Sequence, residues 1–326
     1  MGRDTVLQWG LVGTGYVAKR RIEAIAAQER TQLVAIAGRQ PGRVLALDPD
    51  RTAAHYSHWQ DLLTHPDLDG VVIATINCDH GAIAAAALKA GKHVVCEYPL
   101  TFDLEEAEAL LLLAQEQDLL LHIEHIELLG GLHLAMQEYC PMIGNIHYAR
   151  YITLSPQPLK LNSWSYNREQ FGFPLVAALS RIHRLTNLFG SVATVSCQLR
   201  YWDDDTPPDY RACLCATQLR FTSGLIADVT YGKGDQFTEG LRQFELQGDR
   251  GSLWFDHEQG RLTQGETVQR LELGTRRGLF QQDLDGVVAY LCEGQPLYVQ
   301  PAASIYALRV AVAAQRAAET QTVVWV

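Results

Sequence analysis

The glycine-rich run GLVGTGYVA at residues 10–18 constrains the fold more than any other segment. It follows an apolar stretch typical of a buried strand, and it leads into YVAKRRIEAIAAQ, whose pattern predicts a helix. Glycines such as Gly13 and Gly15 let the backbone turn sharply and approach a pyrophosphate, which then rests on the N-terminus of the following helix. A tight turn without a ligand is the alternative. Because strand, glycine turn and helix come in this order, the run predicts a dinucleotide-binding unit.

The rest of the chain shows two patterns of apolar residues. In the first third, LVAIAG, VVIAT and HVVCEY alternate with helical segments, and strands this apolar are typical of a parallel sheet covered by helices. Beyond about residue 124, NIHYARYITL, ATVSCQLRYW, RACLCATQLRF, LIADVTY and RQFELQG nearly alternate, which indicates antiparallel strands with one open face. Helices are expected among these strands around residues 175–189 and 279–291, and a last helix at 304–318.

We therefore predict an α/β protein of two domains with a cleft between them. Residues 1–124 would form a Rossmann-type, doubly wound parallel sheet that binds NADP. Residues 125–326 would form a substrate-binding α+β domain with a large, mostly antiparallel open sheet, and the last helix is a candidate to pack back on the first domain.

Composition excludes several classes of protein. The 326 residues are 47% hydrophobic and 20% charged, which is typical of a globular protein, and the net charge of −10 disfavours a nucleic-acid partner. No apolar run approaches the ~20 residues of a membrane helix, and the first ten residues do not resemble a signal peptide. The seven cysteines form no C-x-x-C pair, so we expect reduced thiols, a cytoplasmic setting and no membrane partner.

The second predicted strand bears on cofactor choice. It ends in AIAGRQPGR, where an NAD-binding chain usually has an acidic residue for the ribose 2′-hydroxyl. Arg39 and Arg43 would instead pair with a 2′-phosphate, so NADPH is favoured over NADH, although Arg39 as a solvated loop residue is the alternative. The candidate cofactor-binding residues are Gly13, Thr14, Gly15, Tyr16, Val17, Arg39, Thr75, Asn77, His80, Glu97 and Tyr98.

The glycine turn, ATINCDH, AGKHVVCEYP and the trailing open-sheet domain together resemble the glucose–fructose oxidoreductase family along nearly the whole chain. Sugar-oxidising members of that family carry Glu-Lys-Pro where this sequence has Glu97-Tyr98-Pro99, and an Asp-x-x-x-His pair where it has Ala177 and Arg181. These changes remove the groups that deprotonate a sugar hydroxyl, because tyrosine titrates near about 10 and is a poor base at neutral pH. Alcohol oxidation is therefore disfavoured.

The pattern that remains is similar to the biliverdin reductases, which carry Glu-Tyr-Pro. EYPL, HIEHIELLGG, FGFPLVAALSRIHRLTNLFG, YGKG and GTRRGLFQQD resemble their bacterial branch. The resemblance implies a monomer that uses NADPH to reduce biliverdin IXα at its C10 methine bridge, giving bilirubin. A flat, apolar tetrapyrrole with two propionates would stack on the nicotinamide and on aromatic rings, and arginines would meet its carboxylates.

The resemblance also implies roles for particular residues. Arg181 and Arg184 lie three apart, hence on one face of the predicted helix. Arg181 would polarise the pyrrole nitrogens or help to protonate them once hydride has reached C10, and Arg184 would support it or bind a propionate. An arginine pair tied to surface carboxylates is the alternative.

Several further candidates are open to more than one interpretation. Glu97 would orient a catalytic water or an arginine, or cap a helix; His125 would help to deliver a proton, or is a satisfied core histidine; and His80 would line the nicotinamide pocket or lie on the surface. No metal site is expected at residues 122–125, because a strand would point His122 and His125 to opposite faces. The catalytic candidates are thus Arg181, Glu97 and His125, and the substrate-binding candidates are Tyr98, Arg184, His80, Tyr231 and Lys233, with Arg242, Trp202 and Phe237 as weaker ones.

Two rival functions remain open. One is a sugar or cyclitol dehydrogenase of the same family. The other is a non-catalytic NADPH-binding sensor, in which the missing lysine and histidine reflect lost activity.

Overall fold

The structure is a computed structural model that describes residues 6–158, 160, 163–203, 208–256 and 259–326. Its contacts divide the chain into two compact units. Unit 1 consists of Met1–Ile126 and Gly278–Ile305, and unit 2 consists of Glu127–Arg277 and Tyr306–Val326. The domain boundary predicted between residues 124 and 125 stays a prediction.

Unit 1 contains a six-stranded parallel sheet in the order β3-β2-β1-β4-β5-β6. The strand order reverses beside β1, as in the predicted doubly wound fold, and β4 and β5 are buried at every position because helices cover both faces. The strands are β1 (Leu7–Val12), β2 (Thr31–Ala37), β3 (Ala54–Tyr56), β4 (Gly70–Ile73), β5 (His93–Cys96) and β6 (Leu121–Ile123). The helices in this part of the chain are α1 (Tyr16–Ala27), α2 (Pro41–Leu47), α3 (Trp59–Leu62), α4 (His80–Lys89) and α5 (Leu104–Glu116).

The described residues of unit 2 form a nine-stranded sheet in the order β14-β13-β12-β11-β7-β10-β9-β8-β15. Neighbouring strands are antiparallel except β10 and β7, which run parallel. The strands are β7 (Ile146–Pro156), β8 (Val192–Asp203), β9 (Tyr210–Phe221), β10 (Ile226–Gly234), β11 (Leu241–Gly248), β12 (Gly251–Phe255), β13 (Gln259–Gln264), β14 (Thr267–Glu272) and β15 (Val324–Trp325). The helices before β8 are α6 (Gly131–Tyr139), α7 (Arg168–Phe171), α8 (Pro174–Ala177) and α9 (Ser180–Phe189). The predicted fold class is confirmed.

The second sheet has one covered face and one open face, as its alternating pattern predicts. On β9, Cys215 and Leu219 are fully buried, whereas Gln218 and Arg220 are exposed at the alternate positions. Tyr231 of β10 lies directly opposite Cys215 and therefore shares the covered face. Side chains on this face can form a site, because they are shielded from bulk water.

Two helices lie between β14 and β15 in the chain, α10 (Leu279–Glu293) and α11 (Pro301–Thr320). The sequence analysis placed α10 among the strands of the second domain, but the structure places it in unit 1. Leu284, Val287 and Val288 of α10 belong to the same buried apolar cluster as Leu7 and Trp9 of β1. The apolar face of α10 thus covers the parallel sheet. The apolar periodicity of α10 predicts a buried face, but it does not predict which sheet that face contacts.

Composition led us to expect reduced thiols and no membrane-spanning helix. All seven cysteines are free thiols; five of them are buried, Cys140 is partly buried and Cys78 is exposed. Among the described residues, no helix has the length and apolar character needed to cross a membrane.

Candidate active site

The glycine turn between β1 and α1 has the geometry that a pyrophosphate requires. Gly13 has φ +129°, and a Cβ there would lie 2.1 Å from the Ala74 carbonyl oxygen, so only glycine fits. At Gly15, in contrast, a Cβ would meet nothing within 4 Å, and no side chain of the described residues caps the N-terminus of α1. The N-terminus of α1 therefore lacks a side-chain cap and has room beside Gly15 for an anion, which the first amide groups of the helix can bind. Tyr16 is 70% exposed beside them.

The end of β2 lies against the glycine turn. A Cβ on Gly38 would come within 2.5 Å of Cγ2 of Thr14, so the two segments are in close contact. Arg39 and Arg43 follow Gly38, and both are exposed. The predicted partners of a ribose 2′-phosphate thus lie next to the predicted pyrophosphate site, in the same unit.

His80 contacts the two segments that follow β4 and β5. Its Nδ1 lies 2.8 Å from the Pro99 carbonyl oxygen and its Nε2 lies 3.3 Å from the Thr75 carbonyl oxygen. The side chain is buried, and this burial lowers the pKa of His80. His80 is therefore not the surface residue considered above. Asn77 is buried in the same connection, and Thr75 and Val17 are partly buried.

Glu97 contacts an arginine that the sequence analysis did not single out. Nε of Arg21, in α1, donates to Oε1 of Glu97 at 2.7 Å, and Nη1 of Arg21 donates to Oδ2 of Asp283 in α10. Arg21 is only 1% exposed. A signal for Arg21 was present, because it has helical spacing with the buried Ala18 and Ile25 and so lies on the buried face of α1. Of the alternatives for Glu97, contact with an arginine is the one that the structure contains.

Tyr98 and His125 form a stacked pair of rings in unit 1. Their centroids are 5.1 Å apart and their planes differ by 3°. The backbone N–H of His125 donates to the Tyr298 hydroxyl at 3.0 Å, and its Nε2 lies 2.7 Å from Oγ of Ser304. His125 is fully buried, so its proton-delivery role stays a prediction beside the structural one.

Arg181 and Arg184 both lie in α9 of unit 2. The guanidinium of Arg181 lies over the ring of Tyr231, with Cζ 5.3 Å from the centroid. Arg184 is 2% exposed; its Nη2 donates to the Glu127 carbonyl oxygen at 3.2 Å, and its Nε and Nη1 have no acceptor among the described residues. A buried guanidinium with two unpaired donor groups differs from the surface ion pair considered above, and it indicates a site for an anion.

The two arginines belong to a group that includes residues of the covered sheet face. Tyr151 and Thr153 of β7 face this side, and Arg242 of β11 lies directly opposite Thr153. Burial favours the neutral Tyr151 phenol, but the guanidinium groups of Arg181, Arg184 and Arg242 outweigh burial and lower its pKa to about 8. We call Arg181, Arg184, Arg242 and Tyr151 the arginine cluster. Sequence reasoning missed Tyr151, because it carries no signal apart from strand alternation.

Lys233, also on the covered face, is held by aromatic rings. Its Nζ lies 3.4 Å from the ring centroid of Phe171 and 4.6 Å from that of Tyr166, and it donates to the Ser165 carbonyl oxygen. Burial lowers the pKa of Lys233 to about 8. Its ammonium is enclosed by these groups, and its substrate-binding role stays a prediction. Trp202 and Phe237 contact each other edge to face, with centroids 6.2 Å apart.

Two family models match the chain. Residues 7–125 match the GFO/IDH/MocA model described as an oxidoreductase family with an NAD-binding Rossmann fold. Residues 141–326 match the model of the C-terminal alpha/beta domain of the same oxidoreductase family. The resemblance inferred from the sequence is confirmed by these matches.

Known proteins similar to the chain include both bilin and sugar enzymes. The crystal structure of biliverdin reductase from Synechocystis sp. PCC 6803, in complex with biliverdin and NADP+, has 48% sequence identity and a TM-score of 0.94, covering 97% of this chain and all of that one. Human biliverdin reductase A is 30% identical over 159 residues, 48% of this chain and 49% of its own length, so that match spans about half of the relative. The 1,5-anhydro-D-fructose reductase of Ensifer adhaerens is 24% identical over 267 residues, 76% of this chain and 74% of the relative.

Proposed function

The chain belongs to the GFO/IDH/MocA oxidoreductase family, and from this membership we propose that it is an NADPH-dependent biliverdin reductase. The proposed reaction converts biliverdin IXα, NADPH and a proton into bilirubin and NADP+, with hydride added at the C10 methine bridge. A cytoplasmic monomer is part of the proposal. The near full-length match to a reductase that binds biliverdin and NADP+ supports this choice over other activities of the family.

The observation on this chain that carries the substrate class is the arginine cluster. Arg184 is almost fully buried, and neither it nor Arg242 forms an ion pair with a carboxylate in the part of the chain that the structure describes. Burying unpaired cations costs free energy, so such a group is expected where a ligand supplies the negative charge. The propionates of biliverdin provide that charge, and a neutral sugar does not.

Unit 1 has the groups that NADPH needs. The open space beside Gly15 and the uncapped N-terminus of α1 fit a pyrophosphate, and Arg39 and Arg43 fit a 2′-phosphate. The other proposed cofactor contacts in unit 1 are Gly13, Thr14, Tyr16, Val17, Thr75, Asn77, His80, Glu97 and Tyr98. Bound NADPH supplies the hydride.

The protein's own residues would deliver the proton and stabilise the charge that hydride addition leaves on the substrate. Arg181 would donate hydrogen bonds to the pyrrole nitrogens and stabilise the electron density that hydride addition leaves there. Arg184 would bind a propionate, and Tyr231 and Tyr98 would offer ring surface. Glu97 would orient a catalytic water or an arginine, and His125 would help to deliver the proton. Tyr98 is too weak a base to deprotonate an alcohol at neutral pH.

A colour assay tests the proposal. The purified protein with NADPH should convert green biliverdin to yellow bilirubin, and the product spectrum should carry the bilirubin band. The matched control is Arg220→Ala on the open sheet face, which should retain full activity. An unchanged biliverdin spectrum would contradict the proposal. Reduction of NADP+ by a sugar or cyclitol would then favour the dehydrogenase, and tight NADPH binding without turnover of either substrate would favour the sensor.

A further inference from the structure

A buried group of charges in unit 1 surrounds Arg21. Nε of Arg21 donates to Oε1 of Glu97 at 2.7 Å, and Nη1 donates to Oδ2 of Asp283. The side chains of Arg21 and Asp283 are 2% and 0% exposed, whereas that of Glu97 is 14% exposed. Arg21 therefore links a fully buried carboxylate to one that reaches solvent at the end of β5.

The second carboxylate oxygen of Asp283 also accepts hydrogen bonds. Oδ1 accepts hydrogen bonds from Nε2 of His122 and from the Tyr298 hydroxyl, each at 2.7 Å. Burial acts to raise the pKa of Asp283, but the charges of Arg21 and His122 outweigh it, and the net effect lowers that pKa well below its usual range. Asp283 is thus a permanent anion that fixes three side chains at once.

A second chain of contacts leads to the neighbour of Glu97. The Tyr298 hydroxyl accepts from the backbone N–H of His125, Nε2 of His125 contacts Oγ of Ser304, and the ring of His125 stacks on Tyr98. Residues 283, 298 and 304 all come from the late segment that belongs to unit 1. Both residues of the Glu97-Tyr98 pair are therefore held by contacts that begin in this segment.

Stability alone is a weak reason for such a network. A buried ion pair contributes little net stability compared with apolar residues of similar volume, because both charges lose their hydration. The network ends on Glu97 and Tyr98, which follow β5 at the carboxyl edge of the parallel sheet, where ligands bind in open α/β folds. A site on that edge requires residues held within a fraction of an ångström.

We propose that Asp283 is a positioning residue of the active site, which holds Glu97 in its reactive orientation through Arg21 and supports Tyr98 through Tyr298 and His125. This inference rests on the proposed function. The side chain of Asp283 is fully buried, so it can affect the reacting atoms only through the residues that it contacts. The charge of Asp283, which Asp283→Asn removes, acts on the reaction through Arg21 and Glu97, and that dependence can be measured.

A double-mutant cycle on turnover tests the dependence. We expect Asp283→Asn to lower kcat by about tenfold or more and to change the KM for NADPH by less than about threefold, since misplacement of a reacting group acts mainly on the chemical step. In a Glu97→Gln background, Asp283→Asn should cause little further loss. The matched control is Asp285→Asn, on the exposed side of the same helix, which should behave as wild type. Equal losses of kcat with and without Glu97 would overturn the proposal.

A second variant and a second readout allow the proposal to be tested even if Asp283→Asn does not fold or the protein does not reduce biliverdin. If Asp283→Asn does not fold, His122→Asn removes one hydrogen bond to Asp283 and leaves the hydrogen bond between Tyr298 and His125 in place, and its smaller loss of kcat should likewise vanish in the Glu97→Gln background. The same cycle can be read without a bilin, from the fluorescence of bound NADPH. Non-additive fluorescence changes in a protein that does not reduce biliverdin would keep Asp283 as a positioning residue and reject the proposed substrate. Additive changes would reject the role of Asp283.

Discussion

Arg181 occupies the first turn of α9, where the aligned peptide dipoles already concentrate positive charge. A cation at this end of a helix is unfavourable by about 0.3–1 kcal/mol, and the nearby guanidinium groups of Arg184 and Arg242 add like-charge repulsion. Residues that only stabilise a fold rarely have such an arrangement. This arrangement is expected where a bound anion offsets the repulsion. Replacement of Arg181 is therefore the most direct test of the proposed function.

Replacement of Arg181 by alanine should separate catalysis from cofactor binding. We expect kcat with biliverdin to fall by about 10²-fold or more, the usual effect of removing a group that stabilises developing charge. The dissociation constant of NADPH should stay nearly the same, because Arg181 is not among the proposed cofactor contacts. Steady-state kinetics and NADPH fluorescence titration measure the two effects. Normal turnover by Arg181→Ala would show that its catalytic assignment is wrong.

Tyr151 should titrate at an unusually low pH. Its folded-state pKa is about 8, below the usual value of about 10, because three guanidinium groups favour the phenolate. Its ionisation therefore stabilises the fold fully above about pH 10, and this contribution is lost as the pH falls through about 8. Ultraviolet absorbance should show one phenolate forming near pH 8 that is absent in Tyr151→Phe, and the gap in unfolding free energy between the two proteins should widen from pH 8 to 10. No phenolate below pH 10 would contradict the arrangement of the cluster.

At the scale of elements, the local sequence pattern predicted the helices and the turn whose structure depends on residues close together in the sequence. The glycine turn, α1, α4 and α5 follow from periodicity and small residues, and the structure contains them. The parallel pairing of β10 with β7 did not follow, because it joins residues far apart in the sequence, such as Ile226 with Tyr148 and Gly234 with Pro156. The partner of Arg21 was missed for the same reason, since Asp283 is 262 residues away in sequence.

The turn between β2 and α2 should set cofactor preference. Arg39→Asp replaces a cation with a group that repels a 2′-phosphate and accepts hydrogen bonds from a 2′-hydroxyl. Since a hydrogen bond to a charged group contributes about 1.5–3 kcal/mol, we expect preference for NADPH over NADH to fall by roughly tenfold to a hundredfold. The ratio of kcat/KM for the two cofactors measures it, and Arg39→Ala separates lost attraction from added repulsion. An unchanged ratio would remove Arg39 from the phosphate site.

At the scale of the whole molecule, unit 1 is discontinuous in sequence. Residues 278–305, which follow β14, belong to unit 1 and supply Leu284, Val287 and Val288 to its core, and Asp283 to its buried charges. The candidate site depends on this segment, because Glu97 and Tyr98 are held from residues 283, 298 and 304. Sequence reasoning identified the glycine turn and the Glu-Tyr-Pro segment, but it could not identify the distant residues that orient them.

The predicted Rossmann domain, residues 1–124, should not fold as an isolated fragment. Without Asp283, Arg21 would keep only Glu97 as a carboxylate partner, and losing one partner of a buried ion pair costs up to about 3–5 kcal/mol. Exposing the sheet face that α10 covers costs more, and the total net stability of a domain is only about 5–15 kcal/mol. Circular dichroism should therefore show no cooperative thermal transition for residues 1–124, and NADPH fluorescence should show no binding. The matched control joins residues 1–126 to residues 278–305 through a flexible Gly/Ser linker, and it should recover both signals. If residues 1–124 alone unfold cooperatively and bind NADPH, the late segment is a covering layer and not a necessary part of the nucleotide-binding unit.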